Sequence, residues 1–362
     1  MTLFQDGAEP TKSPRRHTGL VLLSATILLG VLAMVIFPAP YVIERPGPAF
    51  NVLGKQDGTS VISFKDTEGF PTTGSLDLLT VSVVGNREQT PTWPEIIAAW
   101  LDPAQTVSPI DEVYPVGTTL EQSEAESTAM MEQSQQNAIY VALAKLGYEI
   151  PIHIYAQQVN KNSPSSGKVV AGDYIEKVNG VHPKDFAGLR KLVESFDGKN
   201  PLRVEVSRKG EPVTLEISPR KNDAGDYMLG IAVGFKFDFP VNVELKLSDV
   251  GGPSGGMIFA LGIYDSLTKG PLIGGKHIAG TGTIDTSGAV GPIGGIRQKL
   301  FAAQRAGAKY FLAPIENCSE VNGHIPAGLQ VFRVKKFDDA LAAVTAIGSN
   351  SDLSKLATCA SK

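Results

Sequence analysis

Residues 249–267 read Asp-Val-Gly-Gly-Pro-Ser-Gly-Gly-Met-Ile-Phe-Ala-Leu-Gly-Ile-Tyr-Asp-Ser-Leu, and the rest of the chain is read outward from them. Two glycines and a proline lead to Ser254, two more glycines follow, and an apolar run extends from Met257 to Leu261. A run that is apolar on most sides predicts a buried helix. Pro253 suits its first position, where a missing N–H costs nothing. Ser254 is then expected in the first turn, among free N–H groups and the positive end of the helix dipole. The backbone N–H groups of Gly252 and Ser254 are the expected oxyanion donors.

A serine hydroxyl attacks only when a base takes its proton. His17, His153, His182, His277 and His324 have no evident partner acid in the sequence. A stronger candidate lies in Gly291-Pro-Ile-Gly-Gly-Ile-Arg-Gln-Lys-Leu-Phe-Ala-Ala-Gln-Arg-Ala-Gly307, a glycine turn and then an amphipathic helix stopped by Gly307. Its apolar stripe is Ile296, Leu300, Ala303 and Ala306, with Lys299 at the inward edge of that stripe and in the first turn. Burial and a helix N-terminus both disfavour the ammonium form, so Lys299 is the expected general base.

Four blocks carry a family resemblance: Gly-Gly-Pro-Ser254-Gly-Gly, Ile278-Ala-Gly-Thr281-Gly-Thr-Ile, Gly-Pro-Ile-Gly-Gly-Ile-Arg-Gln-Lys299-Leu, and Gly307-Ala-Lys-Tyr-Phe-Leu-Ala-Pro314. In order and spacing they resemble the proteolytic domain of the Lon family, over Phe235 to Val344 and more weakly over Pro40 to Gly147. The resemblance implies an α+β fold of the Lon type (ribosomal S5 domain 2-like), a Ser254–Lys299 dyad, and Thr281 as an accessory hydroxyl that orients the lysine. It implies a serine endopeptidase acting on proteins or peptides, needing no cofactor or metal, and forming a homo-oligomer. Gly251 stands where many Lon proteins carry aspartate, and Gly255 where alanine is common. The second change is expected to leave the turn intact.

The chain of 362 residues allows two or three domains. A net charge of −4 gives no general nucleic-acid footprint. Residues 1–17 read as a cytoplasmic tail, and 18–37 hold no charged residue and are long enough to span a bilayer. With Lys12, Arg15 and Arg16 before that stretch, the N-terminus is expected inside and the catalytic domain outside, on a single-pass cell-membrane anchor. Cys318 and Cys359 are the only cysteines, and either a disulfide or two thiols fits them.

Residues 40–147 are expected to form the N-terminal part of the Lon-like domain. Strands are read at Val61–Phe64 and Ser75–Val84, a short helix from Thr92, a capping box at Thr118–Glu121, and Trp93 and Trp100 in the core. Residues 148–221 resemble an inserted bacterial PDZ domain, through Gly172-Asp-Tyr-Ile, the Val178-Asn-Gly180 turn and the hairpin after Leu202. Such a unit binds peptide tails by strand addition, and the carboxylate loop is placed near Gly147–Ile150. The catalytic half is expected at 225–347, and 348–362 read as a polar tail.

Gly270-Pro-Leu-Ile-Gly-Gly-Lys276-His277 falls short of a phosphate-binding P-loop, because His277 stands where a magnesium-binding hydroxyl is needed. The rival readings are a membrane scaffold that only presents the PDZ unit, and a small-molecule kinase-like fold using the Ser254 turn for phosphate.

Overall fold

The computed structural model describes residues 15–247 and 250–359; most of the expected tail at 1–17 lies outside them, as do Ser248, Asp249 and residues 360–362. Helix α1 (Arg15–Ile36) comes first. Its side chains are described only over 19–30, short of the ~20 residues a bilayer needs. Among the described residues no helix is long and apolar enough to cross a membrane, so the transmembrane helix expected at 18–37 is not found there.

The chain continues with β1 (Tyr41–Asn51), β2 (Ser75–Val84), α2 (Trp93–Leu101), β3 (Thr106–Pro109) and α3 (Leu120–Lys145). Next come β4 (Ile152–Val159), β5 (Tyr174–Val178), α4 (Phe186–Glu194), β6 (Leu202–Arg208), β7 (Glu211–Ile217) and β8 (Ile231–Phe237). The last group is α5 (Gly256–Ser266), β9 (His277–Gly280), β10 (Thr283–Ile284), β11 (Val290–Gly291), α6 (Ile296–Ala306), β12 (Tyr310–Pro314), β13 (Gln330–Val334) and α7 (Phe337–Gly348).

A six-stranded sheet runs in the order β13-β12-β9-β2-β1-β3. Strand β1 is antiparallel to β2 and β3, whereas β2, β9, β12 and β13 run parallel. Strands from residues 41–109 and 277–334 therefore interleave in one sheet. Their shared core joins Leu76, Leu78, Ala138 and Leu143 to Met257, Phe259, Ile278 and Leu312. Each large apolar side chain fully buried there contributes about 1.5–3 kcal/mol. Helix α5 sits inside this core, with Met257, Ile258, Phe259, Leu261 and Ile263 all without solvent contact, as its all-round apolar sequence demands.

The inserted unit is a five-stranded sheet in the order β7-β6-β5-β4-β8 with α4 packed on it. Strand β8 pairs along the length of β4, from Ile231 opposite Val159 to Phe237 opposite Ile152. The unit thus reaches beyond the expected boundary at 221, because β4 takes its second hydrogen-bonding partner from residues assigned above to the catalytic half.

Three local expectations shift. The capping box of α3 is one residue later: Thr119 Oγ1 accepts from Gln122 N, and Gln122 Oε1 accepts from Thr119 N, each at 3.1 Å. Trp93 packs edge-on against Tyr41, but Trp100 is 57 % exposed, since α2 turns Ile96 and Ala99 inward instead. Cys318 and Cys359 are joined as a disulfide across 41 residues, which closes off the alternative of two thiols. On the chain-entropy account a loop of that length is worth about 4 kcal/mol.

Candidate active site

The serine turn is built from three sides. Ser254 lies ahead of α5, whose cap is Gly255, and not in its first turn as expected. The reason is where its carbonyl goes. The N–H groups of Ile258 and Phe259 both donate to Gly255 O at 3.0 Å, leaving the Ser254 carbonyl to face sideways. It accepts from Gly282 N at 2.8 Å and from Thr281 Oγ1 at 3.0 Å. Met257 N donates back to Gly282 O at 3.1 Å, completing a strap between the turn and the segment after β9.

Helix α3 holds the turn from another side. Ser134 Oγ donates to Pro253 O at 2.8 Å, and Asn137 Nδ2 donates to Ile284 O at 3.0 Å. Gly252 N donates to Ser127 O at 3.0 Å, so the expected Gly252 oxyanion donor is engaged in this arrangement. A Cβ at Gly251 would lie 2.2 Å from Ser127 Oγ, so a side chain there requires that hydroxyl to move. A Cβ at Gly255 would lie 2.3 Å from Leu78 Cδ1, a buried core atom. The turn is intact with glycine at 255, and an alanine there would require Leu78 to shift. None of Ser127, Ser134 and Asn137 stands out in the sequence, because polar residues are ordinary in a long surface helix.

Lys299 arrives from the third side. Gly295 caps α6 with φ +66, and a Cβ there would meet Val81 Cγ2 at 2.6 Å, so conformation and space both call for glycine. Lys299 is only 3 % exposed, and its Nζ donates to Thr281 Oγ1 at 3.2 Å. Thr281, itself buried, thus accepts from the lysine and donates to the carbonyl of Ser254. Burial pushes the Lys299 amine down from 10.5 to about 8. The loop before α6 is tied to Asn317, whose Oδ1 accepts from Ile293 N at 3.0 Å and whose Nδ2 donates to Ile293 O at 2.9 Å.

His153, His182, His277 and His324 are engaged elsewhere. His277 Nε2 lies 2.6 Å from Asp77 Oδ2, and Ser75 Oγ donates to the other oxygen of the same carboxylate. The acid there stands between the two, so His277 is not placed to activate Ser75. His153 pairs with Asp238 at 2.8 Å, while His182 and His324 bond backbone carbonyls. The P-loop-like stretch leads into strand β9 and not into a helix, so it lacks the helix N-terminus that a phosphate would use. Among the described residues no cluster of His, Cys, Asp and Glu is suited to a metal ion.

In the inserted unit a groove of about 220 Å³ runs between α4 and β8, lined by Phe186, Leu189, Val193, Leu229, Ile231 and Val233. Arg190, Asp226 and Gly230 complete its wall. The segment Gly147–Ile150, expected as the carboxylate loop, does not line it; Leu229 and Gly230, at the head of β8, do.

The buried lysine, the hydroxyl that holds it and the serine turn lie together in the C-terminal half of the chain. Residues 248–346 match the Lon protease (S16) C-terminal proteolytic domain. The chain is 37 % identical over 187 residues to the Lon protease of Buchnera aphidicola, covering 48 % of this chain and 23 % of that protein. It is 36 % identical over 118 residues to the Lon protease of Escherichia coli, covering 31 % and 15 %. With the Lon protease of Rhizobium meliloti it shares 30 % over 184 residues, 49 % of this chain and 23 % of that one. The chain thus spans less than a quarter of the length of these relatives. The PDZ domain of the SdrC-like protein of Listeria innocua aligns with 22 % of this chain at 18 % identity and a TM-score of 0.21, covering 92 % of that domain.

Burying the charged form of a lysine costs stability. Its folded pKa of about 8 lies below the ordinary 10.5, so the unfolded chain holds more protons between those values. The penalty, on the order of 3 kcal/mol, is full below about pH 8 and fades as pH rises toward 10.5. Lys299→Met is expected to raise unfolding stability at pH 7 by roughly 1–3 kcal/mol while abolishing activity, with the gain shrinking at pH 10. Urea unfolding of both proteins at the two pH values measures this; a less stable variant at pH 7 would refute it.

Proposed function

We propose that the chain is a membrane-anchored, ATP-independent serine endopeptidase in which Ser254 is the nucleophile and Lys299 the general base. The observation that carries this reading is the buried amine, bonded through Thr281 to the carbonyl of the candidate nucleophile. A neutral amine carries two N–H bonds and one lone pair. Giving one N–H to Thr281 fixes the nitrogen and leaves the lone pair for the Ser254 hydroxyl. Lys299 takes the Ser254 proton as Oγ attacks the peptide carbonyl, then delivers it to the leaving amine. Water resolves the acyl-enzyme with the roles reversed. The Ser254 N–H supports the oxyanion, joined by Gly252 N–H once the turn lifts from Ser127.

Because burial sets Lys299 near 8, kcat/KM should rise with pH, with a midpoint near that value and about a tenfold fall per unit well below it. Ser254→Ala should remove both peptidase activity and labelling by a serine-directed probe, and Lys299→Ala should lower kcat by about 10²–10⁴-fold. A pH-independent rate, or near-full activity in either variant, would sink the dyad.

The inserted unit acts as a PDZ-type receptor for substrate tails. Strand β8 is an edge strand of its sheet, so its free side can add a peptide strand beside the apolar groove. Substrates of this kind are unfolded or membrane-proximal proteins that reach the dyad from a tethered tail. Fluorescent peptides with apolar C-termini should bind saturably, and Phe186→Glu, at a half-exposed position in the groove wall, should weaken them severalfold. Binding that ignores the variant would remove the groove from recognition.

The anchor is proposed on the sequence of residues 18–37, and Leu20, Leu22, Leu28 and Leu29 of helix α1 are each more than 60 % exposed. The Cys318–Cys359 bond suits an oxidising compartment and so supports a catalytic domain outside the cytoplasm. Protease added to intact cells should digest the domain, and alkylation without reductant should leave both cysteines unmodified. A protected domain with two reactive thiols would overturn this topology. Lon-like ring formation belongs to the same reading, and light scattering of the detergent-solubilised protein that gives a monomer would refute it.

A further inference from the structure

Beside the nucleophile turn lies a second cleft, of about 410 Å³, within the range of ligand-binding pockets. Pro253, adjacent to Ser254, forms part of its wall. Met130, Ile284 and Val290 make it apolar, and Ile284 and Val290 are themselves buried. The wall at Thr283 and Ile284 begins two residues after Thr281, so it is continuous with the residues that hold the dyad. Two charged residues line the cleft, Asp285 and Glu316, and both are acidic. Asp285 Oδ1 is taken up by its own turn, accepting from Ser287 N, Ser287 Oγ and Ala289 N. The Glu316 carboxylate makes no hydrogen bond or ion pair among the described residues. Its backbone is nonetheless fixed, since Asn317 is bonded twice to Ile293 and Cys318 is bridged to Cys359.

We propose that this cleft is a substrate side-chain subsite and that Glu316 sets its preference, selecting a lysine or arginine near the scissile bond. An apolar floor matches the methylene stem of such a side chain, and an unpaired carboxylate at the rim matches its head. An acidic side chain would meet Asp285 and Glu316 with nothing to balance it. This inference rests on the peptidase reading above.

The test uses the full chain and quenched fluorescent peptides that differ at one position among arginine, lysine, norleucine and glutamate, scanned across the residues flanking the cut. At one position arginine and lysine should exceed norleucine in kcat/KM by about three- to fivefold, as a partly exposed charge pair allows, and glutamate should be the poorest. Glu316→Gln should bring the basic-to-norleucine ratio close to one, Glu316→Asp should keep part of it, and Glu316→Lys should favour the glutamate peptide. Raising the salt to 0.5 M should shrink the wild-type ratio but not the variant's. A preference that survives Glu316→Gln, equal losses on every peptide, or no basic preference at any position would overturn the proposal while leaving the dyad standing. A wild-type chain that neither cleaves nor labels with a serine-directed probe would overturn both readings.

Discussion

The carbonyl of Ser254 is the point on which the site depends. It is turned away from α5 and accepts from Gly282 N and Thr281 Oγ1 together. That turn decides two things. It starts α5 at Gly256, leaving the Ser254 hydroxyl on a turn that is only half-buried. It also commits the Thr281 proton, so the remaining capacity of that hydroxyl is to accept, which it does from Lys299. A buried amine without a partner is costly. Here one oxygen atom serves both the Lys299 amine and the Ser254 backbone.

Helix α3 is the strut that makes this geometry stiff. From one face it reaches Gly252, Pro253 and Ile284 by hydrogen bonds, so the Ser254 turn and the cleft beside it share a support. Close packing explains the local glycines better than flexibility does, since Gly251 abuts Ser127 and Gly255 abuts Leu78. On the far side the disulfide and Asn317 hold the loop that leads into α6. Lys299, Ser254 and the cleft thus hang from different parts of one interleaved core, and the five-stranded unit leaves it and returns to it beside that strut.

The inserted sheet contributes a different kind of surface. Its core is separate from that of the catalytic domain, with Tyr140, Ile150 and Phe239 packing against both. Those shared residues sit where the chain leaves α3 and where it comes back after β8. Few side chains therefore join the groove-bearing unit to the domain that holds Ser254 and Lys299.

Much was legible from residue order alone. The apolar run after Ser254 could only be a buried helix, Lys299 fell on the inward edge of an amphipathic one, and Gly307 stopped that helix. Glycine spacing and helical periodicity are local, so the sequence carries them directly. What it could not carry were contacts between distant segments. The engagement of Gly252 by Ser127, the sideways Ser254 carbonyl, β8 joining β4, the site of the groove and the position of Glu316 beside Pro253 all follow from packing across long separations. Hydrogen-bond partners and steric limits there depend on which surfaces meet, and only the folded chain decides that.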